Sequence, residues 1–238
     1  SEGVTLNGGD MAFTVSNTHL RANGTMVLAG TPISLKWVED FNAGKRPGST
    51  FDVTGIFDDA TRTQLGVGIV RNIQGSLPVQ AVLKGRGPEI ATAEFEADLG
   101  PVTVVEPLIA WRKDPGVPAT LAGNYTQADD GSITLSGMSM SGQGVQLQGS
   151  AFFDPNGTMQ HASVSRLLLA NGTDLSGVAV RSPEDGIVRI DVNGPAFDAR
   201  DFLDDLFADA PASEGDEVSD EVILANANVD RVTAHAGE

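Results

Sequence analysis

The chain has 238 residues with 32 acidic against 15 basic side chains, a net charge of −17, no cysteine, and only ten Phe, two Trp and one Tyr. That balance opposes binding to a nucleic-acid backbone or to anionic headgroups, both of which draw clustered Lys and Arg. Lack of cysteine removes disulfides and thiolate-ligated metals, and no apolar run reaches the ~18 residues that a membrane-spanning helix needs.

Residues 3–30 read as two or three strands, with Asn7-Gly8 and Asn23-Gly24 as turns; Met11, Phe13 and Val15 alternate with Ala12, Thr14 and Ser16. The stretch from Leu35 to Phe41 fits either a short helix, with Trp37 and Phe41 one turn apart, or a strand running into a turn. Residues 42–50 form a loop, and Phe51 to Ile56 a strand. Asp58 to Leu65 is a short helix with acidic residues in its first turn, where the helix dipole favours them. Strands follow near Ile69–Ile73, Val79–Gly85 and Ile90–Leu99, and Val102–Trp111 is largely apolar before a break at Lys113-Asp114-Pro115-Gly116.

From residue 117 to 194 the sequence is a meander. Asp130-Gly131, Gly142-Gln143-Gly144, Asn156-Gly157, Asn171-Gly172 and Asp185-Gly186 begin 12, 14, 15 and 14 residues apart. Asn-Gly and Asp-Gly favour tight turns because Gly and Asn tolerate positive φ. Such spacing leaves arms of about ten residues, or ~33 Å of strand. Val145, Leu147, Ala151 and Phe153 fall on one face of their arm and Gln146, Gln148 and Ser150 on the other; Gly137 and Gly149 mark bulges or kinks. By the same parity we expect Val145, Leu147, Val178, Val180, Val188, Ile190 and Val192 to share one apolar surface.

Residues 197–207 read as a helix striped by Phe202, Leu203, Leu206 and Phe207, residues 208–221 as an acidic Pro/Ser/Gly linker, and residues 222–238 as the start of a following β segment. The expected division is therefore a β domain over 1–207, the linker, and that segment. The chain opens without an initiator Met and ends in strand-like sequence, so we expect a segment of a longer polypeptide. The fold class is mainly β: a long antiparallel twisted meander sheet, possible as an open groove or as a closed sandwich, with two or three short helices.

Catalytic chemistry finds no foothold. His19, His161 and His235 are the only histidines, none with a His or Glu at ligand spacing, and no nucleophile elbow, phosphate loop or dinucleotide fingerprint occurs. The pairs Asp58-Asp59, Asp129-Asp130 and Asp204-Asp205 read as a helix start, a turn and a helix face. The four Asn-X-Thr triplets read mainly as hairpin turns. We expect no enzyme, cofactor or metal.

A set of spaced patterns resembles the central region of AsmA-like bacterial envelope proteins of the YhdP type. It comprises Pro32 to Trp37 with Phe41, Phe57 to Arg62 with Leu65-Gly66, Ala97-Asp98-Leu99, Trp111-Arg112-Lys113, Gly149 through Asp154, Gly194 to Arg200, and Val229 to Val232. The resemblance implies a relative of bridge-like lipid transfer proteins, anchored in the inner membrane and crossing the periplasm. An apolar β-groove would then carry phospholipids between inner and outer membrane and support envelope integrity. It implies phospholipid acyl chains and the rest of a membrane-anchored chain as partners, with the seven aliphatic residues above as groove candidates. The competing reading is a secreted or surface β-sandwich that binds carbohydrate or a protein partner.

Overall fold

A computed structural model describes residues 6–44, 46–65, 72–87, 89–106, 109–200, 203–204 and 223–235. Its strands are β1 (Leu6–Val15), β2 (His19–Leu28), β3 (Thr31–Asp40), β4 (Ser49–Phe57), β5 (Ile73–Gln74), β6 (Leu77–Arg86), β7 (Glu89–Asp98), β8 (Thr103–Glu106) and β9 (Trp111–Lys113). They continue with β10 (Ala119–Gln127), β11 (Ile133–Gly142), β12 (Val145–Phe153), β13 (Met159–Leu169), β14 (Asp174–Arg181), β15 (Val188–Asp198), β16 (Ile223–Val229) and β17 (Val232–Thr233). The helix α1 (Asp59–Gln64) follows β4.

Two sheets result. The larger has 14 strands in the order β1-β2-β3-β4-β6-β7-β10-β11-β12-β13-β14-β15-β16, with β17 extending the β15 edge; the smaller is β5-β8-β9. Every neighbour pair from β1 to β15 is antiparallel, and β16 and β17 join β15 in parallel. Among the described residues the large sheet is open, with no closed barrel and no second large sheet packed on it as a sandwich.

Turn chemistry explains the meander. At four hairpins an Asp or Asn accepts the N–H two residues on: Asp130 from Ser132, Asp154 from Asn156, Asn171 from Thr173 and Asp185 from Ile187. Gly131, Gly157, Gly172 and Gly186 supply the positive φ that each turn demands. All five expected turn signals of the meander are turns.

Asn23-Gly24 is not a turn; it lies mid-strand in β2, and the chain instead reverses at residues 16–18 and 29–30. A Cβ on Gly24 would stand 2.0 Å from the Asp10 carbonyl oxygen, so this glycine serves close strand approach. Leu35 to Asp40 is strand, not helix. The expected helix start is present, with Asp58 as its cap, accepting from the Thr61 N–H at 2.8 Å. At the far end Phe197 and Asp198 complete β15 rather than opening a helix; Arg200, Leu203 and Asp204 are helical. Phe202, Leu206, Phe207 and the linker at 208–221 lie outside the described residues. Ile223–Val229 adds to the same sheet as its last strand.

Bulges interrupt the ladders. Gly137 (φ +58°) is the extra residue between Leu135 and Met138. Ser165 is the extra residue of β13 against both neighbours, since Gln148 and Gly149 face Arg166 and Val164 while Leu175 and Gly177 face Leu167 and Val164.

Candidate functional site: one apolar face across the sheet

Residues that pair directly across antiparallel strands point to the same face, so the registers divide the large sheet into two surfaces. One row can be followed through all thirteen strands of the path. It runs Phe13, Ala22, Trp37, Phe51, Leu83, Ala93 and Tyr125. It continues through Leu135, Ala151, Ala162, Ala179, Ile190 and Ala225. Twelve steps of ~4.8 Å make this stripe ~58 Å long. The opposite face carries Lys36, Asp52, Gln80, Glu94, Asn124, Ser139, Gln148, Ser163 and Asp191 in the corresponding positions. Most of the charge along these rows is thus kept off the apolar surface; Glu39 is an exception, on the Trp37 side, where it accepts from the Trp37 indole N–H and the Ser49 hydroxyl.

Five of the seven expected groove residues lie on this surface: Val145, Leu147, Val188, Ile190 and Val192. Val178 and Val180 do not. They pair with Ser163 and His161 on the polar face and are 41% and 44% exposed. Alternation fixes parity within one strand, whereas phase between strands is set by the turn and by the Ser165 bulge. In β14 the inward residues are Leu175, Gly177 and Ala179. Leu175, directly after the Asn171-Gly172 turn and opposite Leu167, was the signal for the correct phase. Sequence reasoning also missed that β3, β4, β6, β7 and β10 contribute to the same surface through Trp37, Phe51, Val53, Leu83, Phe95 and Tyr125, although their alternation is as regular.

Cover along the strands is unequal. Leu77, Ala97, Leu99, Ala119, Val145, Leu167, Leu169 and Leu175, all near one end of their strands, form a single core with Ile73, Val102 and Val104, and Leu99 and Val102 are wholly inaccessible. Ile109 and Trp111 pack against this core. The small sheet therefore lies over one end of the apolar face. Further along, Val53, Leu83, Phe95, Tyr125 and Ala151 are only half-buried.

Two buried cations fasten the cover. Arg62 on α1 donates to the carbonyls of Phe57 (2.6 Å), Gly75 (2.7 Å) and Ile73 (2.8 Å) and pairs with Asp59. Lys113 donates to the carbonyls of Val102 (2.9 Å) and Asp114 (3.0 Å). Burial pushes the Lys113 ammonium below its ordinary pKa, while the carboxylates of Asp98 and Asp114 pull it back up. These contacts join α1, β5 and the β8–β9 hairpin to the end of the large sheet.

Next to the covered rows, β12–β14 present small residues. Gly149, Val164 and Gly177 form one row, and Ala151, Ala162 and Ala179 the next. They make a shallow trough, flanked by Leu135 and Ile190. On the polar face a hollow of about 380 Å³ opens over the bulges, lined by Gly137, Ser139, Gln148, Ser150, Ser163 and Ser165. Phe152, 39% exposed, lies on the same face.

The acidic pairs serve local structure: Asp58 caps a helix, Asp130 holds a turn, and Asp204 meets His235 at 3.1 Å. Among the described residues no group of three His, Asp or Glu is placed to hold a metal, and no helix is long and apolar enough to cross a membrane. No family model, no curated protein sequence and no solved structure matches the chain.

Proposed function

We propose that this chain is a non-enzymatic lipid-holding β-sheet, a segment of a periplasmic, membrane-anchored protein of the AsmA-like kind that carries phospholipid between the two membranes. The supporting observation is the unbroken apolar row across thirteen strands, on a face that the small sheet covers at one end of its strands. A face of this kind is stabilised by removing hydrocarbon from water, at ~0.8 kcal/mol per methylene. Acyl chains supply hydrocarbon without needing directional contacts, so adjacent strands hold them about equally well. Polar side chains on the opposite face keep the sheet wetted, and headgroups stay in solvent.

The test uses the two tryptophans. Trp37 lies on the apolar face, stacked on Phe51 with ring centroids 5.8 Å apart, and Trp111 lies in the cover. In a Trp111→Phe variant, phosphatidylcholine brominated in its acyl chains should quench Trp37. Ala162→Leu, which fills the trough without adding charge, should reduce uptake measured by native mass spectrometry. Absence of quenching, with the protein folded and no phospholipid adduct by mass, overturns the reading. A glycan-binding reading draws on the serine-lined hollow and Phe152; saturable oligosaccharide binding abolished by Phe152→Ala would favour it instead.

A further inference from the structure

The β8–β9 hairpin packs on the core at the covered end of the apolar face. Its bulky side chains, Ile109 and Trp111, flank Ala110, a non-glycine residue at φ +47°. Both pack on the core, as do Leu121, Met140 and Leu147 of the adjoining row in the large sheet. Immediately beyond that row β12 and β14 carry Gly149 and Gly177, with Val164 between them, and the next row is Ala151, Ala162 and Ala179. Bulk above and below on one side, and small residues on the other, make a wall at a defined level along the strands. From Leu147 to Phe153 the six residue steps of β12 span ~20 Å, comparable with an extended long-chain fatty acyl group.

We propose that Ile109 and Trp111 form a stop that fixes how far an acyl chain can reach along the strands, and so select chain length. The inference rests on the lipid-holding reading and gives it a specificity. A chain that reaches the stop fills the uncovered face. A longer one must bend or leave methylenes in water, and a shorter one leaves apolar side chains wet. Selection is thus a difference in buried hydrocarbon, with no polar recognition required. Lys113 ties the hairpin to the Val102 carbonyl, and Arg62 ties β5, the neighbour of β8, to the end of β4, so the level of the stop is set by the chain and not by the lipid.

The experiment offers the intact chain an equimolar series of phosphatidylcholines from dilauroyl to diarachidoyl and reads the bound species by native mass spectrometry. The wild type should favour a narrow range of lengths. Trp111→Ala should shift the bound population to longer chains, and Ile109→Ala should shift it in the same direction by less. Val82→Ser, exposed on the polar face, should leave the distribution unchanged. If Trp111→Ala does not fold, as judged by melting, Trp111→Leu shortens the stop while keeping it apolar. Phospholipid uptake without length preference, or a distribution unaltered in folded hairpin variants, overturns the stop but leaves the lipid-holding reading intact. No uptake by the wild type overturns both.

Discussion

The two ends of the same strands behave as different materials. In β6, Leu77 is sealed in the core, whereas Leu83, on the same face of the same strand, is half-buried. In β12, Val145 is 3% exposed and Phe153 is half-buried. Alternation, strand length and residue type barely distinguish these positions. The difference comes from the small sheet and α1, which lie over one end of the strands. Apolar character therefore marks a face that can be covered, and only the rest of the chain decides where it is.

The largest effect in testing that contrast should come from the covered end. Leu99→Ala should destabilise the protein by about 2–5 kcal/mol, because a cavity adds to the lost transfer energy. Leu83→Ala at the uncovered end should cost about 1 kcal/mol, as only part of its surface leaves water on folding. Equal losses by denaturant titration would erase the distinction. Arg62→Met should come next, at about 2–4 kcal/mol, since it strips the donor from buried carbonyls that have no apolar substitute. It should also loosen the cover, seen as faster amide exchange at Ile73 and Val104 than at Leu35.

A smaller effect concerns Asp198. The Arg200 guanidinium, ahead of a weaker pull from His235, holds its carboxyl down to about 2. Because that value lies below the ~3.9 of an unperturbed aspartate, the stabilisation is present above about pH 4 and is lost as pH falls through 2. Arg200→Gln should flatten this part of the acid-unfolding curve. The least effect belongs to Phe13→Ser on the outermost strand: Phe13 is 60% exposed, and a change within ~0.5 kcal/mol is expected. A loss beyond that in dilute solution would mean that β1 has cover the monomer does not show.

Much of this was legible in the sequence, and the failures share a cause. The five meander turns, the helix start at Asp58, the bulge at Gly137 and the inward set Val145, Leu147, Val188, Ile190 and Val192 all follow from local chemistry, whereas the bulge expected at Gly149 falls on Ser165 of the neighbouring strand. Phase between neighbouring strands does not, which is why Val178 and Val180 were put on the wrong face. Asn23-Gly24 has the composition of a turn but serves an approach of two backbones that only the fold creates. The small sheet was the hardest to foresee: β5, β8 and β9 are two, four and three residues long, too short for periodicity to register. Its anchor Lys113 looked like part of a loop break, because nothing local says that a lysine will be buried by distant strands.

The Ser165 bulge has a consequence for how such a chain can change in length over evolution. Deleting one residue from the regular part of a strand inverts everything beyond it, sending apolar side chains to water and charges inward. Deleting Ser165 does the opposite. Arg166 would follow Val164 in unbroken alternation, with Val164 opposite Gly149 on one side and Gly177 on the other, and every inward residue would keep its place. Single-residue gaps and insertions should therefore be tolerated at Ser165 and Gly137 and purged at Gln146 or Ala179. A library of one-codon deletions would show this as narrow windows of survival in otherwise intolerant strands.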